Sequence, residues 1–494
     1  MRAAAGMQPT TELGRRARPS LPPGGALIAG DWLSAPLDMA VTDPQDGSLV
    51  GHVHRCSVDD TQRAVRAAAA ALKQDWPLHR RVETLARAAL AVRADADRLA
   101  QTIATEGVKT LAEARYEVAR CAEVMQIASQ AADVLTGQTL QTEASARGIG
   151  RIGWFTREPL GVIGAITSFN DPLNLVAHKV APAVLAGTSI VLKPSEQTPF
   201  SALNLAQIML DAGVPAARLS VICGGAEIGS ALVSHPDVAV VSFTGGTHTA
   251  ESIVSSAGVK KMLMELGGNN ATIVCADADL DLAVAKITDA AFGVAGQNCL
   301  SVQRVYAERA VFDELLERIA QAAGSLVTGP KHDPRTDVGP LVSRAAAERV
   351  AEMVERTVAA GARLVVGGSL EGSFYQPTVL TGAPPHSPVA RDELFGPVLT
   401  VEPVDDLNEA VERTNDCSFA LQAGVFTRSL DTATFVARRL TVGAVLVNDT
   451  SDYRLDDMPF GGFKRSGVGR EGIRSAVLEF TAPKCVLLPS VGAS

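Results

Sequence analysis

From Gly161 onward, short β-branched runs alternate with helical patterns, and no other feature of this 494-residue chain restricts its fold as strongly. Val162-Ile163-Gly164-Ala165-Ile166, Ser189-Ile190-Val191-Leu192-Lys193, Leu219-Ser220-Val221-Ile222-Cys223 and Val238-Ala239-Val240-Val241-Ser242-Phe243 read as strands. Asn174 to Leu185 and Ser201 to Ala212 read as intervening helices, the second closed by Gly213. Strands that are apolar on both faces and joined through helices build a parallel sheet covered on both sides. The rhythm resumes from Ala271 to Val447, which predicts a second α/β unit. No internal repeat and no low-complexity block interrupts it.

The chain before Gly161 reads differently. Ser57, with Asp60 three residues later, predicts a capped helix that ends before Pro77. Helical patterns continue over His79 to Glu106 and Leu111 to Leu135, and Gly153 to Glu158 alternates as a two-stranded excursion would. Residues 1–25 are basic and Pro-rich without an apolar core. They are expected to be a disordered tail, with an organellar transit peptide or a start at Met7 as the other readings.

Composition narrows the class of function. Lys and Arg total 45 against 54 Asp and Glu, a net charge of −9, which argues against nucleic acid as a partner. No apolar run approaches the roughly 18 residues that a membrane span needs. The seven cysteines are odd in number and form no CxxC pair, so neither a disulfide framework nor a zinc site is expected, and no metal is assigned. Such cysteine usage suits a reducing cytoplasm.

Two strings match G-x-G-x-x-G, at Gly148/Gly150/Gly153 and Gly467/Gly469/Gly472. The dinucleotide fingerprint needs a strand before it and a helix opening within it, and neither string has that context. Lys193-Pro194-Ser195-Glu196 is the better nucleotide candidate, because it follows a buried parallel strand at the end where open α/β sheets bind ligands. A carboxylate at Glu196 can accept from both hydroxyls of an adenine ribose and would repel a 2′-phosphate; a plain charged loop is the other reading. Phe243-Thr244-Gly245-Gly246-Thr247 is a second strand-to-helix turn whose amides can approach a phosphate.

Gly296-Gln297-Asn298-Cys299 leads a turn into a cysteine, whereas Cys223 and Cys275 sit inside apolar runs as structural cysteines do. Cys299 is therefore a candidate nucleophile. Glu265 ends an apolar strand before Gly267-Gly268. Half-buried and without an adjacent cation, it would have its pKa raised toward general-base duty.

Phe169-Asn170, Lys193-Pro194-Ser195-Glu196, Phe243-Thr244-Gly245-Gly246, Glu265-Leu266-Gly267-Gly268-Asn269, Gly296-Gln297-Asn298-Cys299, Glu393-Leu394-Phe395-Gly396-Pro397 and Pro459-Phe460-Gly461-Gly462 occur in a fixed order over residues 26–490. In order and spacing they resemble the NAD(P)-dependent aldehyde dehydrogenase superfamily. The resemblance implies Cys299 as nucleophile, Asn170 with the Cys299 amide as oxyanion hole, and Glu265 as the base that activates water on a thioester. It also implies Lys179 and Glu471 as a proton relay or as groups that tune the cysteine. Glu393 matches the grip on the nicotinamide ribose and Phe395 the ring beside the nicotinamide. Ile166, Thr167, Ser168, Phe169, Lys193, Ser195, Glu196, Gly229, Phe243, Thr244, Gly245, Gly246, Leu266 and Gly267 complete the implied cofactor site. Glu196 favours NAD, with NADP also possible.

The implied fold is two doubly wound, Rossmann-like parallel-sheet domains plus a small β oligomerisation element. The implied cofactor-binding domain is 26–145, 159–264 and 458–479; the catalytic domain is 265–457; the oligomerisation element is 146–158 and 480–494. A homodimer or homotetramer follows from the resemblance. A carboxylate at Glu265 favours a free acid over transfer to CoA, since relatives that acylate CoA generally lack it. A catalytically silent NAD-binding relative and an NAD-independent acyl transferase at the same cysteine are the competing readings.

Three positions depart from the family pattern: Phe169 where Trp is common, Gly246 where Ser is, and Ala250 where Gly is. The strings Ser168-Phe169-Asn170-Asp171-Pro172-Leu173-Asn174, Val302-Gln303-Arg304-Val305-Tyr306 and Ser451-Asp452-Tyr453-Arg454 resemble the branch acting on lactaldehyde, succinic semialdehyde, phosphonoacetaldehyde and glyceraldehyde 3-phosphate. Asn298 stands where the last of these often has Arg. A small polar or anionic aldehyde is therefore expected, met by Arg115, Arg120, Asn298, Ser301, Tyr453 and Arg454. Arg115 and Arg120 lie about 140° apart round a helix, and structural ion pairs would explain the arginines equally well.

Overall fold

A computed structural model describes residue 22 and residues 24–489. Most of the expected tail lies outside the described residues, but Gly25 is already buried and its amide donates to Leu33 O at 2.8 Å.

The first helix, α1 (Val58–Ala71), opens with the expected reciprocal capping of Ser57 and Asp60. The helical pattern over 79–106 is not continuous. It divides into α2 (Leu78–Ala94) and α3 (Ala96–Glu106) at Asp95, whose carboxylate takes the guanidinium of Arg98 instead of supporting the helix. The next helix, α4 (Leu111–Gln130), is capped reciprocally by Thr110 and Glu113 and stops before a 3₁₀ turn at Ala132–Leu135.

The strands Leu219–Val221, Ser189–Lys193, Val162–Ile166, Val238–Thr244 and Lys261–Glu265 pair in parallel in that spatial order. The helices α5 (Asn174–Ala186), α6 (Pro199–Ala212), α7 (Ala226–Ser234) and α8 (Thr247–Ala257) connect them. One core cluster lies on each face of this sheet, so the sheet is covered on both sides as the sequence required. Strand order reverses between Val162–Ile166 and Val238–Thr244, and ligands of open α/β sheets bind beyond the carboxyl ends at such a point.

Residues 266–269 carry the chain into a second sheet, ordered Arg363–Val366, Thr378–Thr381, Val398–Val404, Val302–Glu308, Asn270–Val274, Gln422–Phe426 and Ala444–Val447. All its pairings are parallel except the first. It too has a core on each face, with α9 (Leu280–Phe292) on one of them.

The excursion near residue 153 is three-stranded, not two-stranded. Gln138–Leu140, which the hydrophobic pattern did not reveal because its side chains are largely exposed, pairs with Arg151–Pro159, and Thr481–Pro489 pairs along the other side. Among the described residues Thr481–Pro489 is left as a free edge, with Leu487 and Leu488 exposed.

Candidate active site

A cavity of about 830 Å³ opens where the carboxyl end of the first sheet faces the second. Cys299, Asn170 and Glu265 all line it, from three separate stretches of chain.

Cys299 sits on the loop that follows α9. Val294, Ala295 and Gly296 there adopt left-handed φ values of 53°, 52° and 67°. This is costly for a β-branched residue, so the surroundings must impose it. They do: Val294 N donates to Glu113 Oε1 at 2.7 Å, and Gln297 bridges Val294 O, Pro340 O and Val342 N. Asn270 Nδ2 donates to the Cys299 carbonyl at 2.8 Å, and the Cys299 amide has no partner among the described residues. The thiol keeps part of its surface open to the cavity. Enclosure by the walls, then the nearby Glu393, pushes its pKa up, and Arg454 opposes them.

Asn170 follows the strand Val162–Ile166. Ser168 Oγ donates to its Oδ1 at 2.5 Å, so its Nδ2 remains free to donate into the cavity.

Glu265 is not half-buried, as the sequence suggested, but 3% exposed, and neither carboxylate oxygen has a partner among the described residues. Nor does it lack cations, since Arg454, Lys179 and Arg470 all act on it. Burial and the like charge of Glu471 outweigh them and raise its pKa well above the ordinary value.

Behind Glu265, Lys179 Nζ lies 3.0 Å from Glu471 Oε1 and donates to Ser242 Oγ. Burial opposes ionisation of Glu471, but Lys179 and Arg454 together hold its carboxyl down to about 2. Lys179 and Glu471 are fully buried and do not line the cavity. Glu393 accepts from Gly268 N at 3.2 Å, and burial pushes it up to about 7. Its carboxylate occupies the space a Cβ on Gly267 would need. Phe395 meets Phe169 edge to face at 5.8 Å.

Ser168, Phe169, Thr244, Gly245, Gly246, Leu266, Gly267, Glu393 and Phe395 line the cavity; Ile166, Thr167, Lys193, Ser195, Glu196, Gly229 and Phe243 do not. Part of this second set gathers beside the sheet's carboxyl end. A Cβ on Gly225 would lie 3.3 Å from Glu196 Oε1, and one on Gly229 would lie 3.7 Å from both Ile166 and Lys193. Arg55 stands 4.0 Å from Glu196. Sequence reading missed Gly225 and Arg55; the pair Gly224-Gly225 before α7 was the available signal for the first. Gly225 and Gly246 open α7 and α8 without side-chain caps, and the buried hydroxyls of Thr167 and Thr244 have no partner among the described residues. Uncapped helix amides and orphaned donors along one crevice fit a dinucleotide.

Of the residues proposed for substrate, Arg120, Asn298, Tyr453 and Arg454 line the cavity. Arg115 does not: it is exposed and faces Asp97 at 3.4 Å, because the turn of α4 carries it away from Arg120. Ser301 is buried outside the lining, its hydroxyl donating to Ala291 O. Lys109, Glu113, Glu117, Asp171 and Asp452 also line the cavity and were not singled out. The one grouping of metal-ligating side chains among the described residues, His54, Cys56 and Asp60, lies outside the cavity, and Asp60 is committed to capping α1.

The profile described as "Aldehyde dehydrogenase family" matches residues 32–486. The aspartate-semialdehyde dehydrogenase 1 of Pseudomonas canavaninivorans is 42% identical over 458 residues, 92% of this chain and 97% of that protein. The 3-sulfolactaldehyde dehydrogenase of Priestia aryabhattai is 39% identical over 465 residues, 94% of this chain and 98% of that protein. The crystal structure of succinate-semialdehyde dehydrogenase from Burkholderia pseudomallei superimposes with a TM-score of 0.92 at 35% identity, covering 96% of this chain and all of that one. The chain thus belongs to the aldehyde dehydrogenase family, as an NAD(P)-dependent enzyme.

Proposed function

We propose that the protein oxidises a short polar or anionic aldehyde to the free carboxylic acid, through a thioester on Cys299. The observation that carries this reading is the convergence of Cys299, Asn170 and an unpartnered Glu265 on one cavity. The Cys299 thiolate attacks the aldehyde carbon, forming the C–S bond while the carbonyl pair moves onto oxygen. Asn170 Nδ2 and the free Cys299 amide hold that oxyanion. Bound nicotinamide supplies the hydride acceptor. As the carbonyl re-forms, a thioester remains. Glu265 takes a proton from water, the water oxygen attacks the acyl carbon, and the C–S bond breaks to release the acid and restore the sulfur. Arg454 is the positive group that favours the thiolate against burial. Lys179 and Glu471 sit behind Glu265 as its proton exit or as a fixed charge.

Glu196 supports NAD over NADP, since its carboxylate would repel a 2′-phosphate; Arg55, 4.0 Å away, is the group that would favour NADP. The first sheet then serves as the cofactor-binding domain and the second as the catalytic one. The preference for small polar aldehydes is supported by Arg120 and Arg454 in the cavity and by the names of the relatives. A panel of aldehydes followed by NADH and NADPH absorbance tests both points. Short anionic or hydroxylated aldehydes with NAD are expected to give the highest kcat/KM; hexanal or benzaldehyde ahead of all of them would refute the substrate assignment.

The free edge Thr481–Pro489 supports pairing with a second copy, since exposed apolar edge strands template further strands. We place the enzyme in the cytoplasm as a homodimer or homotetramer. Light scattering is expected to give a dimeric or tetrameric mass, and a monomer at micromolar concentration would remove that assignment.

A further inference from the structure

Most charged side chains on the cavity wall are already matched. Lys109 pairs with Glu117 at 2.8 Å and with Asp171. Arg120 lies 2.6 Å from Asp456 and 3.8 Å from Asp171. Lys286 lies 3.0 Å from Asp449. The Arg454 guanidinium carbon lies 3.7 Å from the centre of the Phe460 ring, with Glu471 at 3.5 Å and His178 Nδ1 at 3.4 Å. The wall therefore offers no surplus positive charge to a dianionic group.

Two features remain open. Arg454 has a side chain only 8% exposed, and its buried Nε has no partner among the described residues. Two residues earlier on the same loop, Asp452 makes no ion pair among the described residues. Its carboxylate accepts a hydrogen bond from Asn298 Nδ2, and Asn298 Oδ1 stands 3.8 Å from the Cys299 sulfur. Gln422 Nε2 pins the loop by donating to Ser451 O and Tyr453 O. Asp452 is thus a carboxylate without an ion pair among the described residues, held through Asn298 next to the reacting sulfur, on the same loop as Arg454, whose Nε alone is unpartnered. Burial and the like charge of Asp289 push its carboxyl up to about 6, a cost that a cation at this point would remove.

We propose that the cavity selects an aldehyde carrying both a carboxylate and an ammonium group, an amino-acid semialdehyde. Asp452 receives the ammonium, and Arg454, aided by Arg120, receives the carboxylate. Such a head group is neutral overall, which suits a wall whose charges already balance. This deepens the aldehyde-oxidation reading and rests on it.

Aspartate semialdehyde and succinic semialdehyde form the matched pair that tests it, since they share a carbon chain and differ only in the ammonium group. The wild-type enzyme with NAD is expected to favour aspartate semialdehyde in kcat/KM by about tenfold or more, the scale of a charge-assisted hydrogen bond. Asp452→Asn keeps the shape and the contact with Asn298, and is expected to shrink that ratio by about tenfold. A wild-type ratio at or below one, or a ratio unmoved by Asp452→Asn, overturns the proposal. Calorimetric binding of L-aspartate and of succinate to the wild-type enzyme with NADH reads recognition without turnover. Aspartate binding no tighter than succinate overturns the proposal, whether or not the variant folds. Failure to oxidise either aldehyde would instead sink the oxidation reading, and the binding comparison would still decide whether the ammonium is recognised.

Discussion

Cys299→Ala is expected to lower aldehyde oxidation by roughly 10⁴-fold or more, the loss that follows removal of a covalent nucleophile elsewhere. The variant cannot form the C–S bond, so no thioester can precede acid release. Its cofactor affinity, read by fluorescence titration with NADH, is expected to stay within about threefold, because the loop is fixed by Glu113, Asn270 and Gln297 and not by the thiol. Turnover above about one per cent of wild type would remove Cys299 from the mechanism. The free thiol itself is disfavoured as an anion by its enclosure, so activation must come from what surrounds it, Arg454 foremost.

Glu265→Gln is expected to separate the two halves of the reaction. A first burst of NADH, about one per active site, should persist in stopped-flow absorbance, because Glu265 is not needed to form the thioester. Steady turnover should then fall by about 10²- to 10⁴-fold, the usual contribution of a general base. The pH dependence supplies a second mark. A general base works only when deprotonated, and burial with Glu471 raises the pKa of Glu265. Wild-type deacylation should therefore climb with pH through a region above the ordinary carboxylate range, and that limb should be absent in Glu265→Gln. A variant that loses the burst and the steady rate equally would place Glu265 in the first half of the reaction instead.

The α/β organisation was legible because helical and strand periods alternate over hundreds of residues, and burial on both faces writes continuous apolar strands. Motif order made the candidate chemistry legible: Cys299 and Glu265 stood out in local patterns, and the family resemblance added Asn170, before the three were seen to meet. Local patterns failed where the environment comes from distant chain. Glu265 looked half-buried because it ends an apolar strand shortly before two glycines, yet Lys179, Arg454 and Glu471 reach it from elsewhere in the fold. Asp95 broke a helix whose apolar spacing continues through it. Arg115 and Arg120 shared one motif-level reading, and only the rotation of α4 sent one to solvent and the other to the cavity.

The cysteines show the division most plainly. From sequence, Cys299 differed from Cys223 and Cys275 in its polar, turn-forming neighbours. Titration does not tell them apart, since burial raises all three thiols. What separates Cys299 is an open cavity, an unpartnered amide and a carboxyl across from it, none of which is a property of adjacent residues. The sequence by itself determined the sheets and their covering helices and singled out the candidate reacting groups, because periodicity and motif order are local or strictly serial. Only the tertiary structure decided which charges are matched and which remain open, because Coulomb and desolvation energies depend on distances between segments that the sequence keeps far apart. Asp452 and Arg454, neighbours in sequence, differ in their needs for that reason alone.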